Sequence, residues 1–227
     1  MIDTDILRCS HRHTRYTHPF CFEKIRKEWV VKPRQEQIRE IEWYENPDLK
    51  IGFLDIETTG LEADTGYMVC WSIKERGETK VIMDWLKKEE VFNYKFDRRI
   101  TTSLVDTMRQ FDVLVTYNGI LFDCKYIRTR AFYWKIDFPK WKELLHIDLY
   151  WKARNLFRLS HTTLNNVTKL LAIDGKTKLD FSYWGLAGLG NPKAMKQMLK
   201  HNKADVEILE LAFNEIKEYC KFDKRGL

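Results

Sequence analysis

The sequence predicts an α/β fold, and three observations carry that expectation. Apolar runs of strand length follow one another from Ile51 onward, as IGFLDIE, GYMVCWSIK and ETKVIMDW. A fourth run, DVLVTYN, is set between segments of helical character. A long amphipathic pattern then closes the chain, with Met195, Met198, Val206, Leu209, Phe213 and Ile216 recurring at helical spacing. The 227 residues, 44% hydrophobic and 32% charged, suit one domain of middle size with a small appendage.

The elements can be justified in order. EWYENPDLK, residues 42–50, carries Asn46-Pro47-Asp48 and reads as a break. It divides the chain into a basic, Cys/His-rich segment over 1–48 and a main domain over 49–222. IGFLDIE ends on carboxylates before Thr58-Thr59-Gly60 turns the chain, and Glu75-Arg76-Gly77 is a tight turn between the next two strands. These three strands should form an antiparallel meander. SLVDTMRQF predicts a helix leading into the buried strand DVLVTYN, followed by a helix from about Lys125 to Trp134 and a short strand at HIDLY. LSHTTLNNVTKLLAI predicts a helix capped by Ser or Thr. The last helix has Asn191 to cap it, Pro192 in its first turn, and a pattern running to about Cys220.

The chemistry lies in the acids. Residues two apart in a strand share a face, so Asp55 and Glu57 project together from the first strand. A D-x-E pair is common in surface strands, but this one follows the apolar run Ile51-Gly52-Phe53-Leu54. Asp123 opens a helix, where an anion is favoured by the helix dipole and a simple capping role is the plain alternative. His201 and Asp205 are four apart on the last helix and so are neighbours on one face, alongside an apolar strip. Carboxylates aimed at one interior pocket repel unless cations neutralise them, and hard divalent cations prefer such oxygen ligands. The four acids thus point to metal-assisted phosphoryl chemistry.

DIETTG, YNGILFD with Tyr126-Ile127 and Arg130-Ala131 behind it, and Asp205-Val206 on a C-terminal helix resemble the DEDD-superfamily 3′→5′ exonucleases. The resemblance covers about residues 50–220 and is closest to the proofreading exonuclease domain of B-family DNA polymerases and its stand-alone relatives. It implies an RNase H-like fold, a mixed five-stranded sheet flanked by helices. It also implies that Asp55, Glu57, Asp123 and Asp205 hold two Mg²⁺ or Mn²⁺ ions, Asp55 bridging them, to drive in-line hydrolysis by water. Thr58, Tyr117, Asn118 and Phe122 would then surround the terminal nucleotide. One departure stands out. The family places Tyr four residues before the last Asp, or His five before it; here His201 takes the tyrosine's spacing as the water-orienting residue.

The expected substrate is a single-stranded 3′ end, of DNA first and RNA as the alternative, since no residue visibly reads a 2′-hydroxyl. An RNase H-like endonuclease, an RNA-trimming exonuclease and a catalytically weak nucleic-acid-binding module are the rivals. No polymerase domain fits in 227 residues, so proofreading would act on a polymerase in trans. Between residues 8 and 34 stand eight Arg or Lys against two Glu, an excess equal to the net charge of +6 for the whole chain. That head suits phosphate contact, or is simply a solvated leader. Within it, Cys9, His11, His13, His18 and Cys21 offer a structural tetrahedral Zn²⁺ site, with a metal-free basic strand or loop as the other reading. No run of residues is apolar enough for a membrane span, and five cysteines without a secretory leader suggest a reduced, cytoplasmic setting.

Overall fold

The computed structural model describes residues 43–140, 143–174 and 179–220. The candidate zinc ligands Cys9, His11, His13, His18 and Cys21 lie outside the described residues, as does most of the expected N-terminal segment.

The sheet is five-stranded, ordered β3-β2-β1-β4-β5. β1 (Ile51–Thr58) pairs antiparallel with β2 (Met68–Glu75), and β2 pairs antiparallel with β3 (Val81–Trp85). The expected meander is therefore present, and Gly77, with φ of 76°, supplies the left-handed residue of its second turn. On the other side β1 runs parallel to β4 (Val113–Thr116), which runs parallel to β5 (Leu145–Asp148). Parallel neighbours need crossovers. The first is α1 (Lys88–Phe92) and α2 (Arg98–Met108); the second is α3 (Asp123–Trp134). α4 (Leu149–Leu156), α5 (Leu164–Leu170), α6 (Ser182–Gly188) and α7 (Pro192–Ile216) complete the chain.

Strand alternation divides β1 between two cores. Leu54 and Ile56 join Leu104, Val105, Ile127 and Ala131 of α2 and α3 in one. Ile51 and Phe53 join Val206, Leu209, Phe213 and Ile216 of α7 in the other. Each large side chain buried this fully contributes roughly 1.5–3 kcal/mol, so α7 is held to the sheet by its apolar stripe. Continuing the same alternation, Asp55 and Glu57 fall on the α7 face. α7 starts as expected: Asn191 accepts hydrogen bonds from the Lys193 and Ala194 N–H groups, and Pro192 follows. It ends at Ile216, and a 3₁₀ turn (Lys217–Tyr219) carries the chain to Cys220. α5 is shorter than its apolar pattern suggested, with Thr163 as its cap.

Two charged groups between the layers are paired with opposite charges. Lys74 on β2 pairs with Glu210 on α7, and Glu210 also accepts from the Gly77 N–H at 2.7 Å. Between α2, α3 and β2, Asp97 is fully buried and accepts from Arg130 Nε and Nη2 at 2.8 and 2.7 Å, Trp134 Nε1 at 2.8 Å and the Met68 N–H at 2.9 Å.

His146 on β5 is also buried, its Nε2 lying 2.8 Å from Thr116 Oγ1 and 3.8 Å from Cys124 Sγ. Burial pushes its pKa down to about 3, so the ring is neutral in the fold. A depressed histidine pKa contributes stability that is full above the unfolded value near 6.5 and is lost as pH falls toward 3. The stability difference between wild type and His146→Gln should therefore shrink by about 2 kcal/mol from pH 7 to pH 5. Urea unfolding of both proteins in EDTA reads this directly, and parallel pH profiles would refute it.

Candidate functional site

Asp55 projects from β1 opposite Ser72 of β2, and Glu57 stands two residues on, opposite Cys70. The strand rule thus puts both carboxylates on the α7 face, where Asn202 is fully buried. Asn202 Nδ2 donates to Asp55 Oδ2 at 2.6 Å, while its Oδ1 accepts from the Ser72 hydroxyl. A helix asparagine thereby fixes the strand carboxylate through both ends of its amide.

His201 precedes Asn202 and reaches Glu57. Its Nε2 lies 3.8 Å from Glu57 Oε1 and 3.7 Å from Asp205 Oδ2, the latter across one helical turn. Trp184 of α6 donates its indole N–H to Glu57 Oε2 at 2.8 Å. The same indole meets His201 edge-on, with ring centroids 6.0 Å apart and planes at 79°. Glu57 is therefore held between a tryptophan and a histidine from two different helices.

Asp123 enters from the other side of β1. It is the first residue of α3, 4% exposed, and its Oδ1 accepts from the Ile56 N–H at 3.3 Å. The loop before it is shaped by Asp148 at the end of β5. Asp148 accepts from the N–H groups of Asn118 and Ile120 at 2.8 and 2.9 Å, and of Tyr150 at 3.0 Å. Asn118 sits in the left-handed region with φ of 66°, a conformation asparagine tolerates better than most residues. Gly119 has no room for a Cβ, which would overlap the Thr116 side chain. Asn118 and Gly119 thus answer the backbone and steric demands of this turn.

The electrostatics identify the cluster. Asp55 keeps intermediate exposure yet is surrounded by protein, and its carboxyl is pushed well above the usual range, first by burial and then by the charges of Asp123, Glu57 and Asp205. The other three predicted acids therefore all act on Asp55. Asp123 is raised to about 7, chiefly by burial, with backbone hydrogen bonds opposing the shift. Cys70 beside them is pushed up by burial and by Glu57 and Asp55. Negative charge packed this closely is a binding energy in reserve for a cation.

The donor set is all carboxylate oxygen, which fits Mg²⁺ or Mn²⁺ and not a thiolate-preferring ion. Among the described residues, however, no three His, Cys, Asp or Glu side chains stand as a ready-made coordination group. The physical reason is visible. Asp55, Glu57 and Asp123 each direct an oxygen to a protein donor, namely Asn202, Trp184 and the Ile56 N–H.

The nucleotide-contact candidates are less uniform. Thr58 donates its hydroxyl to the Gly60 carbonyl at 2.8 Å and holds the turn. Tyr117 donates to the Thr162 carbonyl at 2.8 Å, and burial and Asp148 raise its pKa. Phe122 is half-buried against the core beside Tyr126, with centroids 5.6 Å apart. Asn118, like Tyr117 and Phe122, is of intermediate exposure, while Thr58 is buried. Sequence reasoning overlooked Asn202 and Trp184. A polar residue inside the apolar stripe of α7 was the available signal for the first; the second, 127 positions from Glu57, had none.

Comparison with known proteins bears on the fold as a whole. Residues 52–216 match the model of a family described as the RNase_H superfamily. A DNA polymerase of Methanocaldococcus jannaschii is 28% identical over 113 residues, covering 40% of this chain and 7% of the polymerase. The solved family B DNA polymerase of Pyrobaculum calidifontis superimposes with a TM-score of 0.59 at 19% identity, over 75% of this chain and 25% of that one. The chain thus spans a quarter or less of the length of either polymerase, and at these identities the structural likeness speaks for the fold.

Proposed function

The chain belongs to the RNase H superfamily, and from that footing we propose that it is a metal-dependent 3′→5′ exonuclease acting on single-stranded nucleic acid, DNA first. The observation that carries the reading is the convergence of acids from β1, α3 and α7: His201 lies between Glu57 and Asp205, and the charges of Asp123, Glu57 and Asp205 all reach Asp55. Asp55, Glu57, Asp123 and Asp205 would hold divalent cations. Such ions, when bound, neutralise the phosphate and make a water nucleophilic at neutral pH.

The protein's own residues do the rest. Asn202 and Trp184 aim the carboxylates of Asp55 and Glu57. His201, between Glu57 and Asp205, orients the attacking water and can accept its proton. The Asn118 turn, fixed by Asp148, would receive the terminal nucleotide. Water attacks phosphorus in line with the departing 3′-oxygen, which leaves with the shortened strand. A polymerase served in trans belongs to the same proposal, which draws on the likeness of this chain to part of two DNA polymerases.

A 5′-labelled single-stranded DNA and its RNA counterpart, incubated with Mg²⁺, Mn²⁺ or EDTA, test the reading. A ladder shortening from the 3′ end, silent in EDTA, is expected. Internal cuts would replace it with an endonuclease, and binding without cleavage would leave a nucleic-acid-binding module. In the same assay His201→Phe should lower the rate by about 10²-fold; a change under twofold removes His201 from the chemistry.

A further inference from the structure

Phe181 is the most exposed of the large hydrophobic residues described, at 87%. It immediately precedes α6, and its ring lies nearly parallel to that of Trp184, with centroids 6.2 Å apart and planes at 27°. Trp184 in turn hydrogen-bonds Glu57 and meets His201 edge-on. A continuous aromatic series therefore runs from open solvent to the carboxylate cluster. Its outer ring stands two ring-to-ring steps of 6.2 and 6.0 Å from His201.

The helix that presents this series is anchored. A Cβ on Gly188 would come within 2.6 Å of Thr59 Cγ2, so only glycine lets α6 approach the end of β1. Tyr67 donates its hydroxyl to the Gly188 carbonyl at 2.9 Å. Ahead of the helix, Asp180 accepts from the Ser182 N–H at 2.9 Å, and fixes the turn that carries Phe181. An exposed ring held on a rigid support forfeits hydrophobic burial, and what it gains is a flat apolar surface at a fixed place.

We propose that Phe181 and Trp184 form a stacking platform for an unpaired base in the terminal dinucleotide of a single-stranded substrate. A nucleobase laid on Phe181 extends a stack already begun by Trp184, and such stacking is tolerant of sequence because every base has a π-face. The platform's inner end touches Glu57 and His201, which ties its occupant to the strand being hydrolysed and not to a separate protein partner. Trp184 has the second role of a positioning residue, since its indole N–H holds Glu57. This inference rests on the proposed nuclease reading and adds the way in which that site recognises its substrate.

The test compares two 5′-fluorescent oligonucleotides, one ordinary and one with abasic units at its two 3′-terminal positions. Binding is measured by anisotropy in EDTA, and hydrolysis separately with Mg²⁺. Phe181→Ala should weaken binding of the ordinary strand by roughly 5- to 100-fold and leave the abasic strand unchanged. Phe181→Tyr should restore the difference. Trp184→Phe keeps a ring and loses the donor, so kcat should fall with little change in KM. Equal loss on both oligonucleotides, or no loss on the ordinary one, overturns the platform. Wild type that distinguishes the two strands but never cleaves would sink the nuclease reading alone. Cleavage unaffected by Phe181→Ala would sink the platform alone.

Discussion

Asp55→Asn should abolish hydrolysis and, in the absence of metal, make the protein more stable. The two halves have one cause. Folding raises the Asp55 carboxyl well above its usual range, through burial and then through Asp123, Glu57 and Asp205. A carboxyl raised in this way contributes stability below its unfolded pKa, near 3.9, and loses that contribution as pH rises through the folded value. Near neutral pH the ionised form is therefore a liability unless a cation is present. Asparagine has nearly the same shape, carries no charge, and its carbonyl can still accept from Asn202. Loss of a central ligand carboxylate costs several kcal/mol of transition-state stabilisation, about 10³-fold or more in rate. Rates in Mg²⁺ and thermal melts in EDTA measure the pair. Activity within tenfold of wild type contradicts the catalytic assignment, and a lower melting temperature in EDTA contradicts the electrostatic one.

Arg130→Met should cost about 3–5 kcal/mol of folding stability, the largest loss expected from one substitution here. Arg130 is 4% exposed and gives two parallel hydrogen bonds to Asp97, which is fully buried. Its Nη1 also donates to the Ala63 carbonyl at 3.0 Å, tying α3 to the loop that leaves β1. Removing the guanidinium strands a buried carboxylate with only Trp134 and the Met68 N–H. Methionine fills much of the volume, so the cost is electrostatic and not that of a cavity. A second change, Asp97→Asn, should recover part of the loss. Urea unfolding gives the number, and a loss below about 1 kcal/mol would mean that the pair is better solvated than its burial indicates.

What the sequence disclosed follows from periodicity. Period two placed Asp55 and Glu57 on one face of a strand, and a four-residue step placed His201 beside Asp205; both rules are local. The apolar stripe of α7 revealed which side faces the sheet, as Val206, Leu209 and Phe213 now show. The meander was legible because glycine and charged turns separate its strands. α1 was not, since the five residues Lys88–Phe92 are too few for a period to register. α6 drew no expectation because of its own composition: SYWGLAG holds two glycines, which weaken a helical pattern, yet Gly188 packs closely against Thr59. The groups that aim the carboxylates were the least legible. Asn202 and Trp184 act across 147 and 127 positions of sequence, where only the folded sheet and helices bring the partners together.

The most direct measurement is a Mn²⁺ titration of the full-length protein followed by electron paramagnetic resonance, with wild type beside Asp55→Asn. Comparing the two cancels any ion held elsewhere in the chain. The carboxylate site predicts a pair of Mn²⁺ ions in wild type that Asp55→Asn fails to retain. Identical uptake by both proteins would contradict it, and would leave the four clustered acids without the cation that explains their company.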